Sequence, residues 1–364
     1  MMKNKLTLLI DGNWLLQSRF SVMIDQFKLT HDETLREMAS KDLQERLARS
    51  INVIINRLPD IDNIVMITDG GSWRKKIEVP SQLTSTYKGN RVHDEQIDWN
   101  RIYKALNQLS DKCKELGITT CSYINSEGDD WMWYWSRRLN SDKINCIIWS
   151  SDNDLKQLVQ VTDGYFTGWY NDKKGLYLHK DLQEPEVDTV DFFLTPYTRS
   201  PLINSLSQRV SISYIDPNDV ILPKIICGDS SDNIKSIIRY HNNGRNYGIG
   251  TKEWEKVQKS LNIHNVGEFL DKKEEIVKYF INNRKYIKYS NQINEQDLYE
   301  MIDYNTKLVW LDEKVIPDTI IQAMNQVEYK LYDISFIKNN YLILTKQENN
   351  IEEVFEGVDL DIPF

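Results

Sequence analysis

A mostly parallel, twisted α/β sheet with helices on both faces is the fold class that the sequence predicts, and two patterns lead to it. Short β-type runs recur in the first half of the chain, each ending at a carboxylate. These runs are Leu6 to Ile10, Ile64 to Thr68, Ile118 to Asn125 and Ile144 to Ser151. Between the first two, residues 35–58 carry apolar side chains spaced by three or four, which is typical of an amphipathic helix. Strand, helix and strand in this order indicate a βαβ crossover in a parallel sheet.

Other sequence patterns predict two further helices that pack on this sheet and a mainly helical second half of the chain. Residues 97–116 and 129–140 are predicted to be helices, and the aromatic cluster at residues 131–135 is interpreted as core. Residues 165–170 and 176–179 read as a β-hairpin at the sheet edge, followed by an irregular insertion at 181–215. A helix is predicted over residues 220–227, beginning after Asp216-Pro217 and ending at Gly228.

Composition excludes several protein classes. The 364 residues are 40% hydrophobic and 27% charged, as in an ordinary globular protein. The four cysteines form no CxxC pair, so reduced core thiols are expected rather than disulfides, and the scattered histidines disfavour a zinc site. No apolar run approaches the roughly 18 residues needed to cross a bilayer, and Asp11 follows the first apolar run too soon for a signal peptide. We therefore expect a cytoplasmic protein without a membrane partner.

Nine acidic residues follow the predicted strands and one later helix, and the chemistry is expected there. They are Asp11, Asp69, Glu127, Asp129, Asp130, Asp152, Asp154, Asp229 and Asp232. Each alone could be a helix N-cap or a solvated turn, but together at one sheet edge they would repel unless cations neutralised them. Oxygen ligands of this kind suit Mg²⁺ or Mn²⁺, and two such ions support phosphodiester hydrolysis.

Net charge does not exclude a nucleic-acid partner. The chain carries a formal charge of -9, but much of this negative charge comes from those nine acids and from six more in the last 17 residues. The rest of the chain is net positive, which is compatible with binding to phosphates.

The order of these motifs resembles the 5′ nucleases of phages and bacteria, the flap endonuclease superfamily. The matching segments are Asp11 after its strand, Glu127-Gly128-Asp129-Asp130, Ser151-Asp152-Asn153-Asp154 and Gly228-Asp229-Ser230-Ser231-Asp232-Asn233-Ile234. The resemblance covers residues 5 to about 325 and is closest to the ribonuclease H of T-even phages. It implies that Asp11, Asp69, Glu127, Asp129 and Asp152 hold or border one metal ion. The second ion would be served by Asp130, Asp154, Asp229 and Asp232.

The same resemblance implies a DNA-binding role for the basic segment after Asp69. Lys88 and Arg74 would neutralise the scissile phosphate, and Tyr87 would stack on the terminal base. Further DNA contacts are expected from Lys75, Lys76, Arg91, Gly248, Gly250, Thr251 and Lys252. The last four belong to a segment similar to the glycine hairpin of a helix-three-turn-helix, which binds duplex phosphates and, in the family, often a monovalent cation.

An acidic tail follows the predicted helical region and is expected to be disordered when unbound. Its end, Asp361-Ile362-Pro363-Phe364, resembles the tip of bacterial single-stranded DNA-binding proteins. A protein that binds such tips is therefore a candidate partner.

Together these features predict a nuclease core over residues 1–215, with an arch at about 74–110, a helical duplex-binding region over 216–345 and the tail over 346–364. We expect a Mg²⁺-dependent 5′-3′ exonuclease or flap endonuclease that removes 5′ flaps or RNA primers during replication or repair. Its expected substrates are flapped DNA and RNA–DNA hybrids. We also expect a monomer, encoded by a bacteriophage and located in the host cytoplasm. The alternatives are a related-fold endoribonuclease, against which the Gly228–Ile234 motif weighs, and a non-catalytic DNA-structure-binding scaffold, which would need none of the acids.

Overall fold

The computed structural model describes residues 5–183 and 201–345, except for residues 59, 85, 92, 93, 243, 244 and 288–292. Its strands are β1 (Leu6–Asp11), β2 (Asn63–Ile67), β3 (Thr119–Cys121), β4 (Asn145–Trp149), β5 (Gln160–Thr162), β6 (Tyr165–Asn171), β7 (Gly175–His179), β8 (Ile212–Ile215), β9 (Tyr240–Asn242) and β10 (Arg245–Tyr247). Its helices are α1 (Gly12–Phe20), α2 (Glu33–Arg57), α3 (Trp99–Glu115), α4 (Gly128–Ser141), α5 (Pro201–Ser207), α6 (Asn218–Cys227), α7 (Thr251–Ser260), α8 (Val266–Asp271), α9 (Lys273–Ile281), α10 (Arg284–Ile287), α11 (Glu295–Val309), α12 (Asp318–Asn325) and α13 (Ser335–Asn339).

The described residues form two compact units that are not continuous in sequence. The first unit lies within residues 5–71, 94–215 and 319–345, and the second within 72–91 and 216–318. The predicted boundary at residue 215 coincides with a boundary between units, but residues 72–91 group with the second unit and residues 319–345 with the first. The functions assigned to the predicted domains stay predictions.

A central sheet in the first unit confirms the predicted fold class. Its strand order is β3-β2-β1-β4-β6-β7-β8, with β5 paired to β6. Strands β1, β2, β3, β4 and β6 are parallel, so their carboxyl ends reach the same edge. The order reverses direction between β1 and β4, which is where open α/β sheets commonly bind ligands.

The predicted hairpin is confirmed as β6 and β7, which pair antiparallel. Its predicted position at the sheet edge is wrong, because β8 pairs parallel to β7 and extends the sheet by one strand. The four residues of β8 are only half-buried in the structure, whereas those of β1 are almost all buried. The sequence of β8, ISYI, accordingly lacks the apolar run that makes the central strands recognisable. The predicted strand over 118–125 shortens to β3, because the chain turns after Cys121 and Asn125 takes a φ of 61°.

Helix α2 corresponds to the predicted amphipathic helix, and most of its apolar side chains pack in the core of the first unit. Ala39, Leu43, Leu47 and Ile51 are buried, whereas Leu35 and Met38 in the first turns are exposed. Trp131, Trp133, Tyr134 and Trp135 on α4 are buried, which confirms that this aromatic cluster is core. In the described residues, no helix is both long and apolar enough to cross a membrane.

The second unit is mainly helical and has its own core. Trp254, Phe269, Phe280 and Ile302 are among the buried side chains that fill it. Helix α6 begins after Asp216-Pro217 and ends at Gly228, whose φ of 83° lies in the left-handed region that favours glycine. A helix-three-turn-helix arrangement stays a prediction.

Candidate metal centre

Four carboxylates lie at or just beyond the carboxyl ends of neighbouring parallel strands. Asp11 is the last residue of β1, and Asp69 lies two residues after β2. Glu127 follows β3 and immediately precedes α4, and Asp152 follows β4. Because these strands are parallel neighbours in the order β3-β2-β1-β4, the four residues lie along one edge of the sheet, as the sequence predicts.

Asp11 is the carboxylate at the centre of this edge. Its Oδ1 accepts a hydrogen bond from the Trp14 backbone N–H at 2.9 Å, and its Oδ2 accepts one from Ser150 Oγ at 2.6 Å. Burial raises the pKa of the Asp11 carboxyl to about 7; the two hydrogen bonds lower it, and the negative charges of Asp69 and Asp152 raise it. Ionisation of Asp11 is therefore unfavourable unless a cation binds beside it.

Asp69 joins the end of β2 to the start of α4. Its Oδ1 accepts a hydrogen bond from the Gly128 backbone N–H at 2.5 Å, which adds a negative charge beside the N-terminus of α4. Its own backbone N–H donates to Asn13 Oδ1 at 2.9 Å. Asp69 is therefore tied both to α4 and to the first turn of α1.

Asp130 caps the start of α4, and its role at the second metal ion stays a prediction. Its carboxylate accepts a hydrogen bond from the Glu127 backbone N–H at 3.0 Å in a capping box at the start of α4, and the residue is 0% exposed. The other oxygen of this carboxylate takes no part in the capping box. Asp129, the preceding residue, is half-buried and Glu127 is buried.

Asp152 and Asp154 lie on the turn after β4. The Asp152 backbone N–H donates to Ser150 Oγ at 3.0 Å, and the Asp154 backbone N–H donates to Asp152 Oδ1 at 2.8 Å. Asp152 is exposed and Asp154 half-buried. Both side chains are therefore accessible to a ligand at this edge.

These residues fit a divalent cation by their chemistry, since they offer carboxylate oxygens at one edge and no sulfur. In the part of the chain that the structure describes, however, no three His, Cys, Asp or Glu side chains converge in a way that could already hold a metal ion. Internal hydrogen bonds to Gly128 and Trp14 occupy oxygens of Asp69 and Asp11.

In the second unit, Asp232 and Asp229 each form an ion pair with a basic side chain. The Arg91 guanidinium lies 2.6 Å from Asp232 Oδ1. Lys224 Nζ lies 2.5 Å from Asp229 Oδ2, and Ser231 donates to Asp229 Oδ1 from its backbone N–H at 2.8 Å. Burial raises the pKa of Asp229, but these bonds outweigh it and leave the pKa below its usual value. That Asp229 and Asp232 serve a metal ion stays a prediction.

Lys88 also belongs to the second unit. Its backbone N–H donates to the Asp232 carbonyl oxygen at 2.9 Å, and its Nζ lies 4.8 Å from the centre of the Tyr87 ring. Its φ of 54° is uncommon for a residue with a Cβ and is compatible with a constrained functional position.

Comparisons with known proteins identify the family to which the first unit is similar. A family model described as the 5′-3′ exonuclease, N-terminal resolvase-like domain, matches residues 6–184, the segment that contains β1 to β7. This segment of the chain therefore belongs to the 5′-3′ exonuclease family.

One curated relative and two solved structures extend this match. A 5′-3′ exonuclease of Mycoplasmopsis pulmonis is 25% identical over 265 residues, covering 72% of this chain and 73% of the relative. A bacteriophage T5 flap endonuclease, solved as a pseudo-enzyme-product complex with DNA and metal ions, is 18% identical with a TM-score of 0.54 and covers 94% of this chain and 100% of its own. The T5 5′-exonuclease with bound zinc is 16% identical with a TM-score of 0.52, covering 89% and 99%. The structural likeness shows the fold.

Arg74 and Tyr87, to which the resemblance assigns contacts with the substrate, are both buried. Arg74 is 1% exposed, with its guanidinium 4.5 Å from the centre of the Trp73 ring, so it is not presented to a phosphate. Tyr87 is 5% exposed and packs in the core of the second unit, so it cannot stack on a base in this conformation. By contrast, Lys76 is exposed and Lys75 half-buried.

The glycine segment before α7 fits the predicted phosphate site only in part. Gly250 precedes α7, and Thr251 and Lys252 are exposed in its first turn. The Ile249 backbone N–H instead donates to Ser236 Oγ at 2.9 Å, so this amide is used internally. Strands β9 and β10, which pair antiparallel, directly precede Gly248. A monovalent cation here stays a prediction.

Sequence reasoning missed three residues near these sites. Ser150 is the side chain that bonds Asp11, whereas the sequence reading began the motif at Ser151. An S-x-D spacing counted back from Asp152 would have identified it. Lys235 and Arg239 line a cavity of about 400 Å³ beside Gly248 and Gly250, and no motif marks either residue. Residues 361–364 of the predicted tail lie outside the described residues.

Gly70→Ala is expected to destabilise the first unit by about 3 kcal/mol. A Cβ at this position would lie 2.0 Å from the Tyr123 carbonyl oxygen, so the backbone on one side must move. Chemical denaturation would measure the loss. Gly250→Ala is the control, since a Cβ there meets nothing within 4 Å, and its cost should stay within about 1 kcal/mol. Equal stability of Gly70→Ala and wild type would contradict the contact.

Proposed function

We propose that this protein is a metal-dependent 5′ nuclease that removes 5′ flaps or RNA primers from duplex DNA during replication or repair. The observation that carries the proposal is the row of carboxylates at one sheet edge, with a negative charge on Asp11 made costly by burial and by its neighbours, in a chain whose residues 6–184 belong to the 5′-3′ exonuclease family. A fold has little reason to gather such charges unless a cation neutralises them.

Two Mg²⁺ or Mn²⁺ ions are the proposed cofactors. Asp11, Asp69, Glu127, Asp129 and Asp152 are the proposed residues at one ion, and Asp130, Asp154, Asp229 and Asp232 at the other. Divalent cations bound there would supply an activated water and would stabilise the oxygen that leaves the phosphorus.

The chain's own side chains have distinct tasks in this proposal. Ser150 donates to Asp11 Oδ2 and accepts from the Asp152 backbone N–H, so it holds β1 and the turn after β4 in register at the carboxylate edge. Lys88 is proposed to neutralise the scissile phosphate as an electrostatic stabiliser. Lys75 and Lys76 are proposed to contact the substrate backbone.

The relatives support the same substrate class. The Mycoplasmopsis pulmonis relative is a 5′-3′ exonuclease, and the T5 flap endonuclease was solved with DNA and metal ions. We transfer flapped DNA as substrate to this chain as part of the proposal. The tail-binding protein partner, the monomeric state and the phage origin are predictions that carry over from the sequence.

Cleavage of a 5′-labelled flapped duplex tests the proposal. An RNA-primed duplex and a single-stranded RNA of the same sequence are assayed beside it, each in Mg²⁺, in Mn²⁺ and in EDTA. We expect short 5′ products from the flap or the primer in either metal ion and none in EDTA. Cleavage of the single-stranded RNA alone would favour the endoribonuclease alternative. Binding of the flap without cleavage in either metal ion would favour the non-catalytic scaffold.

A further inference from the structure

The loop between β3 and α4 presents two apolar side chains to solvent. In this loop, residues 122–126, Tyr123 is 39% exposed and Ile124 is 65% exposed. Burying either side chain would be favourable, so neighbouring exposed side chains of this size often mark a contact surface.

Hydrogen bonds hold this loop, so the exposure does not come from a loosely attached segment. The Asn125 backbone N–H donates to the Gly70 carbonyl oxygen at 2.7 Å, and the Gly70 N–H donates to the Ser126 carbonyl oxygen at 2.9 Å. Ser126 Oγ donates to the Tyr123 carbonyl oxygen at 2.6 Å and accepts from Trp131 Nε1 at 2.9 Å. These hydrogen bonds attach the loop to the segment that follows β2 and to α4.

These anchors place the exposed pair beside the carboxylates. Gly70 directly follows Asp69, and Ile124 lies three residues before Glu127. Because β3 is the outer strand next to β2, the loop lies at one end of the carboxylate row. Tyr123 and Ile124 thus belong to a loop that is hydrogen-bonded to the residue directly after Asp69.

We infer that Tyr123 and Ile124 form a platform on which a nucleobase at the 5′ end of the substrate stacks. This inference rests on the proposed nuclease function. Neither side chain carries a positive charge for a phosphate, whereas an aromatic ring and a branched aliphatic side chain both match the flat apolar face of a base. Two side chains are also far too small for a protein interface, which needs about 800 Å² on each partner. Tyr87, the aromatic residue that sequence resemblance suggested for stacking, is buried.

Fluorescence of 2-aminopurine at each of the first three nucleotides of the 5′ flap tests the platform directly. Binding is measured in EDTA, so that cleavage does not interfere. We expect wild type to quench the probe in at least one position, and Tyr123→Ala with Ile124→Ser to lose that quenching and to bind about tenfold more weakly. Tyr123→Phe should retain both properties, because the ring remains.

A double-mutant cycle separates stacking from a general effect on the site. Replacing the quenched nucleotide by an abasic one should weaken binding to wild type and leave binding to the double variant unchanged. Phe336→Ala is the matched control, since Phe336 is also exposed, at 59%, but lies on α13, which contacts α2 through Asn52 rather than the carboxylate edge. It should behave as wild type.

The platform would be overturned if wild type cleaved the flap and the Tyr123 and Ile124 variants quenched and bound as wild type does. It would also be overturned if the abasic substitution cost the same in wild type and in the double variant. Wild type that neither binds nor cleaves flapped DNA would instead refute the proposed function itself, so the two failures are distinguishable.

Discussion

Asp152→Asn combined with Asp154→Asn is expected to lower flap cleavage by about 1,000-fold or more while leaving flap binding within about threefold of wild type. Asparagine keeps the size and one oxygen of each side chain but removes two negative charges from the proposed metal site. The Asp154 backbone N–H can still donate to the side-chain oxygen at residue 152, as it does now at 2.8 Å. Single-turnover cleavage in Mg²⁺ and equilibrium binding in EDTA measure the two effects.

The control for this double variant removes two acids at the opposite edge of the sheet. Asp111, in α3, and Asp142, directly after α4, are both exposed and precede β3 and β4 rather than follow them. Asp111→Asn with Asp142→Asn therefore changes the net charge equally and should cleave as wild type does. Full cleavage by the Asp152 and Asp154 variant would refute the metal assignment.

Asp11→Asn is expected to stabilise the metal-free protein at pH 8 by about 2 kcal/mol. The pKa of Asp11 is about 7 in the folded chain and 3.8 without the environment of the fold, so the folded state favours the protonated form. Wild type therefore loses stability as the pH rises from about 4 through 7, whereas the neutral amide avoids this loss. The single oxygen of asparagine can still accept the hydrogen bond from the Trp14 N–H, and its amide NH2 can donate to Ser150 Oγ in place of the second bond.

Thermal unfolding in EDTA and in Mg²⁺, at pH 5 and pH 8, checks this expectation. The difference between Asp11→Asn and wild type should be larger at pH 8, and Mg²⁺ should stabilise wild type more than the variant. Asp32→Asn is the matched control, because Asp32 also caps a helix, through the Leu35 N–H, but is exposed. Its change should be within about 0.5 kcal/mol at both pH values. Lower stability of Asp11→Asn than of wild type in EDTA at pH 8 would contradict the prediction.

Local sequence patterns were sufficient to predict the sheet and its row of acids. Runs such as Leu6–Ile10 and Ile64–Ile67 are buried on both faces, so they are continuous apolar segments that stand out without knowledge of any contact. Parallel strands joined by helices end at the same edge, so the positions of Asp11, Asp69, Glu127 and Asp152 follow from topology. The structure confirms this part, while the roles of these residues remain to be measured.

Only the tertiary structure decided which polar and aromatic residues are accessible. Arg74 and Tyr87 lie in a basic and aromatic segment that is typical of substrate binding, yet both side chains are buried. Asp130 belongs to a family motif, yet it caps α4. The hydrogen bond from Ser150 to Asp11 joins residues 139 positions apart.

The physical reason is the range of the interactions involved. Strand and helix patterns reflect the immediate neighbours of each residue, whereas burial depends on segments that are distant in sequence. Tyr123 illustrates the difference, since its sequence surroundings resemble those of a strand end. It is the hydrogen bonding of its loop to Gly70 that leaves it exposed beside the carboxylates.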